Sequence, residues 1–234
     1  MRIVSTHITS ARRGDGNVPR RRRGSLSRAE ILATALALVD RDGLAALSMR
    51  ALAEELGAGP MSLYNHVDGK QALLDGIVEA LSDEIADNVT QTTGTTSGPD
   101  WARQLRAIGN AFRTVGHAHP QALQLLATRP LHTPAWARPV ETTLAAMRTN
   151  GFDDRHAVTA YRVFWSFLVG YVLAEIRASG EQVLERQLAR LDPATHPHTS
   201  AVAKPLATRA RDPEFALGLE AVLAGIAATL APAG

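Results

Sequence analysis

The sequence predicts an all-α protein with a small N-terminal helix-turn-helix unit and a larger C-terminal helical body. Apolar residues recur at i, i+3, i+4 and i+7 through most of the 234 residues, and no segment shows the strict alternation of a half-buried strand. Ser27 and Ser48 stand where the first two helices should start, and Gly43 and Gly57 where they should stop.

Residues 1–25 are rich in Arg, Gly and Ser and lack apolar periodicity, which predicts a disordered arm. Ser27-Arg28-Ala29-Glu30 is a capping-box pattern, and Ile31, Ala35, Leu38 and Val39 follow at helical spacing up to Gly43. Ser48 caps a second, short helix carrying Met49, Leu52, Ala53 and Leu56, closed by Gly57. Pro60 suits the first turn of a brief third helix reaching His66. A long fourth helix from about Lys70 has Leu73, Leu74, Ile77, Val78, Leu81 and Ile85 as its apolar face, and 90–99 reads as a Thr/Gly/Ser linker. We divide the chain into the arm at 1–25, a helix-turn-helix domain at 26–72, and a ligand-binding and dimerisation domain at 73–234.

In the body, helices are expected over 101–117, 120–127, 134–150, 154–178 and 213–230. Residues 191–212, with Pro193, Pro197 and Pro205, read as a mobile loop. The helix over 154–178 is apolar nearly all round at its middle, Phe164 and Leu168 included, so it calls for a partner surface. The last helix carries Val222 on its apolar face and Gly218, Ala221, Gly225 and Ala228 along another, a stripe that allows close helix approach.

Composition narrows the function classes. The absence of Cys excludes disulfides, thiolate metal sites and a Cys nucleophile, and fits a reducing cytoplasm. The longest apolar run, Val163 to Ala174, contains Ser166 and is fenced by Arg162 and Glu175, so no membrane span is expected. Net charge is only +2, but residues 1–28 hold eight Arg against one Asp, leaving a mildly acidic body. Arg20 to Arg23 can reach phosphates or simply be solvated. His117 with His119, and His196 with His198, have i, i+2 spacing that points side chains apart on a helix, so no metal and no cofactor is assigned. Motifs for a nucleophile elbow, a phosphate-cradling loop or a zinc-binding helix are lacking, so no enzyme activity is expected.

The second and third helices have the spacing of a DNA-reading pair, in which the N-terminal end of the second enters the major groove. Gly59, Pro60, Met61 and Ser62 form that leading end, with short or apolar tips that suit thymine methyls and close approach. Tyr64, His66 and Lys70 can reach the flanking phosphates, and Arg50 a guanine edge or a phosphate. On pattern alone the same residues also suit a solvated helical hairpin.

The segments Leu47 to Gly57, Met61-Ser62-Leu63-Tyr64-Asn65-His66-Val67 and Lys70-Gln71-Ala72-Leu73-Leu74-Asp75 resemble the tetracycline repressor (TetR) family. Ala127-Thr128-Arg129-Pro130, Gly151-Phe152, Gly170-Tyr171-Val172-Leu173 and Phe215 to Glu220 resemble the regulatory domain of its tetracycline-binding members. The resemblance implies a homodimer, its two longest late helices forming a four-helix bundle with those of the partner, on a palindromic double-stranded DNA operator. It also implies a small-molecule inducer in the body that shifts the fourth helix like a pendulum. Phe112, Thr128, Arg129 and Pro130 match the drug site, whereas Ala86, Ile108, Leu125, Thr143 and Ala174 stand where its drug- and magnesium-contacting residues would be. This implies an inducer other than magnesium-tetracycline, apolar or aromatic, contacted by Phe112, Leu125, Thr128, Arg129, Thr143, Trp165 and Tyr171. The same aromatic residues also serve as ordinary core. Two alternatives are a DNA binder without ligand response and, less favoured, a helical enzyme acting on the pocket ligand.

Overall fold

A computed structural model describes residues 26–92, 100–128, 134–177, 181–208 and 211–232. The arm at 1–25 lies outside them, as do most of the expected linker and Arg129 and Pro130. The described residues are helical and contain no strand.

Three helices form the N-terminal head: α1 (Arg28–Asp42), α2 (Met49–Glu55) and α3 (Pro60–Tyr64). Their ends follow the local chemistry. Ser27 Oγ accepts the Glu30 amide hydrogen at 3.1 Å and Ser48 Oγ that of Ala51 at 3.1 Å. Gly57 stops α2 at φ +61°, letting the Ala58 N–H return to the Ala53 carbonyl at 2.9 Å. The head's core is Ile31, Leu38, Leu47, Leu52, Leu63 and Val67, all buried.

α4 (Gly69–Thr92) runs from the head into the body and overruns the linker expected from residue 90. It packs on α1 in the head and on α5 (Asp100–Ala118) and α7 (Pro134–Arg148) in the body. α6 (Leu123–Thr128) follows α5 after a corner at His119. α5 is central, its Leu105, Ile108, Phe112 and Val115 buried against α4, α7 and α8 (Asp154–Arg177). By length and composition α8 is apolar enough to cross a membrane, yet it buries Phe164, Leu168, Val172 and Glu175 inside the protomer.

Between α8 and the last helix the structure departs from the expected loop. α9 (Glu181–Leu188), α10 (Pro197–Ala201) and α11 (Ala203–Ala207) lie there. Pro197 and Pro205 do not break them, because each sits in the first turn of its helix, where a missing N–H costs no hydrogen bond. α12 (Arg211–Thr229) then packs on α8 and α5.

The expected dimer face needs a correction. Phe164 and Leu168 have no exposed surface, and Gly218 serves a contact within the protomer, since a Cβ there would sit 2.8 Å from the Phe167 ring. The outward face of α8 carries Val163, Gly170 and Ala174 instead, and that of α12 carries Leu217, Ala221 and Gly225. An all-apolar helix leaves its orientation open, and here Leu168 has turned inward beside Gly109 of α5 and Leu219 of α12, with Phe164 likewise fully buried.

Head and body meet closely at Gly76, where a Cβ would lie 2.2 Å from Leu32 Cδ2 and 3.1 Å from its Cγ. Gly76→Ala should therefore lower stability by about 1 kcal/mol or more, despite the gain of about 0.8–1.0 kcal/mol in helix propensity. Urea unfolding checks this, and an unchanged or higher midpoint would show that Leu32 repacks freely.

Candidate nucleic-acid interface and ligand site

Leu63 and Leu52 are fully buried and fix α3 on α2. That burial turns the opposite side of α3 outward. Met61 is 76% exposed and Tyr64 48%, with Gly59, Pro60 and His66 also exposed and Ser62 half-buried. Arg50 and Lys70 are exposed on the flanking helices and carry no ion pair among the described residues. Their neighbours differ: Arg41 is held by Asp42 and Glu55, and Arg28 by Glu79. A cation left unpaired at the surface keeps its full charge for a phosphate. Asn65, exposed at the end of α3, lies on the same outward side and was not singled out from the sequence.

The residues expected to line a ligand site divide into two groups. Phe112 and Trp165 meet edge to face at 5.3 Å, and the Trp165 indole N–H donates to Thr143 Oγ1 at 3.2 Å. Thr143 in turn donates to the Pro139 carbonyl at 2.8 Å. Leu125 is buried in the same core, whereas Thr128 is exposed and Arg129 lies outside the described residues. Tyr171 belongs elsewhere. It meets Phe215 edge to face and Phe167 at a tilt toward α12, its ring centroid 5.5 Å from each. Tyr171 follows Trp165 by six positions, less than two helical turns, which puts them on different sides of α8. Of the positions at which the tetracycline-binding pattern is lost, Ile108, Leu125 and Thr143 are buried, Ala86 is half-buried and Ala174 is exposed.

Sequence reasoning missed two charged clusters. In the first, Glu175 is buried on α8, and its carboxylate accepts from Arg113 Nε at 2.9 Å, from Arg113 Nη2 at 2.6 Å and from His117 Nε2 at 3.0 Å. Burial pushes this carboxyl up, but the Arg113 and His117 hydrogen bonds outweigh it and hold the group below the usual glutamate range. Arg113 also reaches Asp212 at 2.7 Å and lies 4.9 Å from the Phe215 ring centroid. In the second cluster His119 bridges Asp40 and Glu84. The i, i+2 spacing of His117 and His119 thus sends them to different partners. The partners lie 58, 79 and 35 residues away along the chain, so no local pattern could have named them.

Two family models match the chain: "Bacterial regulatory proteins, tetR family" over residues 31–77 and "Tetracyclin repressor-like, C-terminal domain" over residues 94–230. An HTH-type transcriptional regulator of Saccharopolyspora erythraea is 35% identical over 150 residues, 64% of this chain and 61% of that protein. This chain therefore spans under two thirds of that relative's length. The tetracycline repressor protein class G of Vibrio anguillarum is 28% identical over 201 residues, covering 86% of this chain and 93% of that one. Among solved structures, the Streptomyces coelicolor TetR family protein ActR in complex with actinorhodin superposes with a TM-score of 0.72 at 28% identity. It covers 89% of this chain and 99% of that one.

Removing the Glu175 carboxylate leaves Arg113 and His117 facing a buried gap. Glu175→Ala should cost about 3 kcal/mol, the low end for breaking a buried pair, because Arg113 keeps Asp212. Since the folded protein holds Glu175 below its ordinary value, its contribution is complete at neutral pH and fades as pH falls below about 4.3. Thermal unfolding from pH 7 to pH 3 checks both: the gap between wild type and variant should shrink in acid, and a constant gap would deny the charge its role.

Proposed function

The chain belongs to the TetR family of bacterial transcriptional regulators, and from that membership we propose that it is a homodimeric repressor of a palindromic operator, released by a small-molecule inducer. The family's members are DNA-binding regulators that respond to ligands, not enzymes. The observation that carries the reading is the outward side of α3. Met61 and Tyr64 are exposed there beside Arg50 and Lys70, which carry no ion pair among the described residues, above a buried Leu63 that fixes the helix in place.

In this reading residues 26–72 are the reading head. Gly59, Pro60, Met61 and Ser62 approach the base edges, with Met61 suited to a thymine methyl. Arg50, Tyr64, His66 and Lys70 hold the phosphates and set register. Residues 73–234 provide the ligand site and the dimer face. Two copies meet through Val163, Gly170 and Ala174 of α8 and Leu217, Ala221, Val222 and Gly225 of α12, forming a four-helix bundle. Supporting this, α8 and α12 pack side by side and turn small or apolar residues outward together.

The inducer enters between α5, α7 and α8, taking over the contacts that Trp165 makes with Phe112 and Thr143. Leu125 and Ile108 favour an apolar or aromatic surface, and Thr143 offers the hydroxyl that orients it. Magnesium-tetracycline is disfavoured because apolar or hydroxyl side chains (Ala86, Ile108, Leu125, Thr143 and Ala174) stand where the resemblance places the drug- and magnesium-contacting polar residues. An inducer acts only if it binds the released state more tightly than the DNA-bound one.

Selection of bound fragments from random duplex DNA by the purified protein, then a screen of aromatic small molecules for release, tests the proposal. A two-half-site palindrome freed by one compound class supports it; no enriched sequence overturns it. On the selected duplex, Tyr64→Ala and Lys70→Ala should each weaken binding about tenfold, or 1.4 kcal/mol, without changing the dimer. Unaltered mobility-shift titrations would remove these side chains from the interface. Gly225→Leu, at a site with nothing within 4 Å in the protomer, should leave the fold intact and yield monomers in sedimentation. A dimer of wild-type strength would place the two-fold contact elsewhere.

A further inference from the structure

His119 sits in the corner between α5 and α6, and both of its ring nitrogens face carboxylates. Nδ1 is 2.6 Å from Asp40 Oδ2 on α1, and Nε2 is 2.9 Å from Glu84 Oε2 on α4. A neutral imidazole has one N–H and one lone pair, so it can satisfy only one of these carboxylates and would turn a lone pair toward the other. The doubly protonated ring satisfies both. Asp40 Oδ1 is buried with no hydrogen-bond partner among the described residues, which leaves His119 as the group that compensates this carboxylate. Among the described residues, Asp40 from α1 and Glu84 from α4 are the charged groups that face the ring, since His117 turns to Glu175.

We propose that His119, as an imidazolium, is the latch that sets the orientation of the reading head on the body. The three helices it joins belong to the head, to the helix crossing between head and body, and to the corner leading into α6, which carries Leu125 and Thr128. This rests on the proposed reading of the body as the ligand site. A displacement of α6 by a ligand moves His119, and His119 moves Asp40 and Glu84 together. His119 is a positioning residue, touching neither DNA nor ligand.

Burial works against the charged ring, but the hydrogen bonds and charges of Asp40, then Glu84, more than offset it and raise the His119 value above the ordinary one. The latch is therefore complete below about pH 6.5 and is lost as pH rises through the raised value. The test compares full-length wild type with His119→Gln, which keeps one donor and one acceptor but cannot take a charge, at constant ionic strength from pH 6 to pH 9. His66 is present in both proteins, so the difference between the two titrations reads His119 alone. Affinity for the selected duplex should differ several-fold at pH 6 and converge at pH 9. Parallel profiles overturn the proposal. If neither protein binds any duplex, the DNA reading fails by itself, and amide hydrogen exchange of α1 decides the latch. Exchange faster in the variant at pH 6 but equal at pH 9 supports it, and equal exchange at both overturns it.

Discussion

Three short helices cannot bury enough apolar surface to stand alone, and the whole arrangement follows from how this deficit is met. α4 lends its first turns to the head, where Leu73 and Ile77 are buried, and its later turns to the body, where Leu81 and Ile85 are buried. Head and body thus share one hydrophobic core through one helix. The head's stability and its orientation are fixed by the same contacts, so neither can change without the other. Gly76 sets the closeness of that sharing by letting the Leu32 side chain of α1 lie directly on the α4 backbone.

Much of this was legible in the chain. Ser27, Gly43, Ser48, Gly57 and Pro60 mark where the head's helices begin and end because capping and positive φ are local chemistry, and a local sequence states them. The exposed side of α3 was readable for the same reason: an apolar Leu63 between polar neighbours has only one way to face. The difficulties begin where a choice depends on distant residues. Phe164 and Leu168 were expected at a partner surface because α8 is apolar on most sides, and periodicity cannot say which side is taken by the protomer's own core. Pro197 and Pro205 suggested a loop because a proline in a first turn and a proline that ends a helix look alike in sequence.

The charged clusters were the least legible part. Glu175 with Arg113 and His117, and His119 with Asp40 and Glu84, join residues from helices far apart in the chain. Each is a desolvated charge whose partner must be supplied by the fold. The expected ligand residues were half legible. Phe112, Thr143 and Trp165 do come together, linked by a ring contact and a hydrogen bond, while Tyr171 joins the aromatic group against α12.

The length of α4 has a consequence of scale. Its 24 residues span about 36 Å at 1.5 Å per residue. A rod of that length, gripped by the body at one end, turns a tilt of about 5° into a displacement of about 3 Å at the other, close to the 3.4 Å that separates successive base pairs. Under the proposed reading, a tilt of that size in the body shifts α3 by about one base-pair step of the duplex. Such leverage would let a tightly packed protein pass between the two proposed states without unfolding any part of itself.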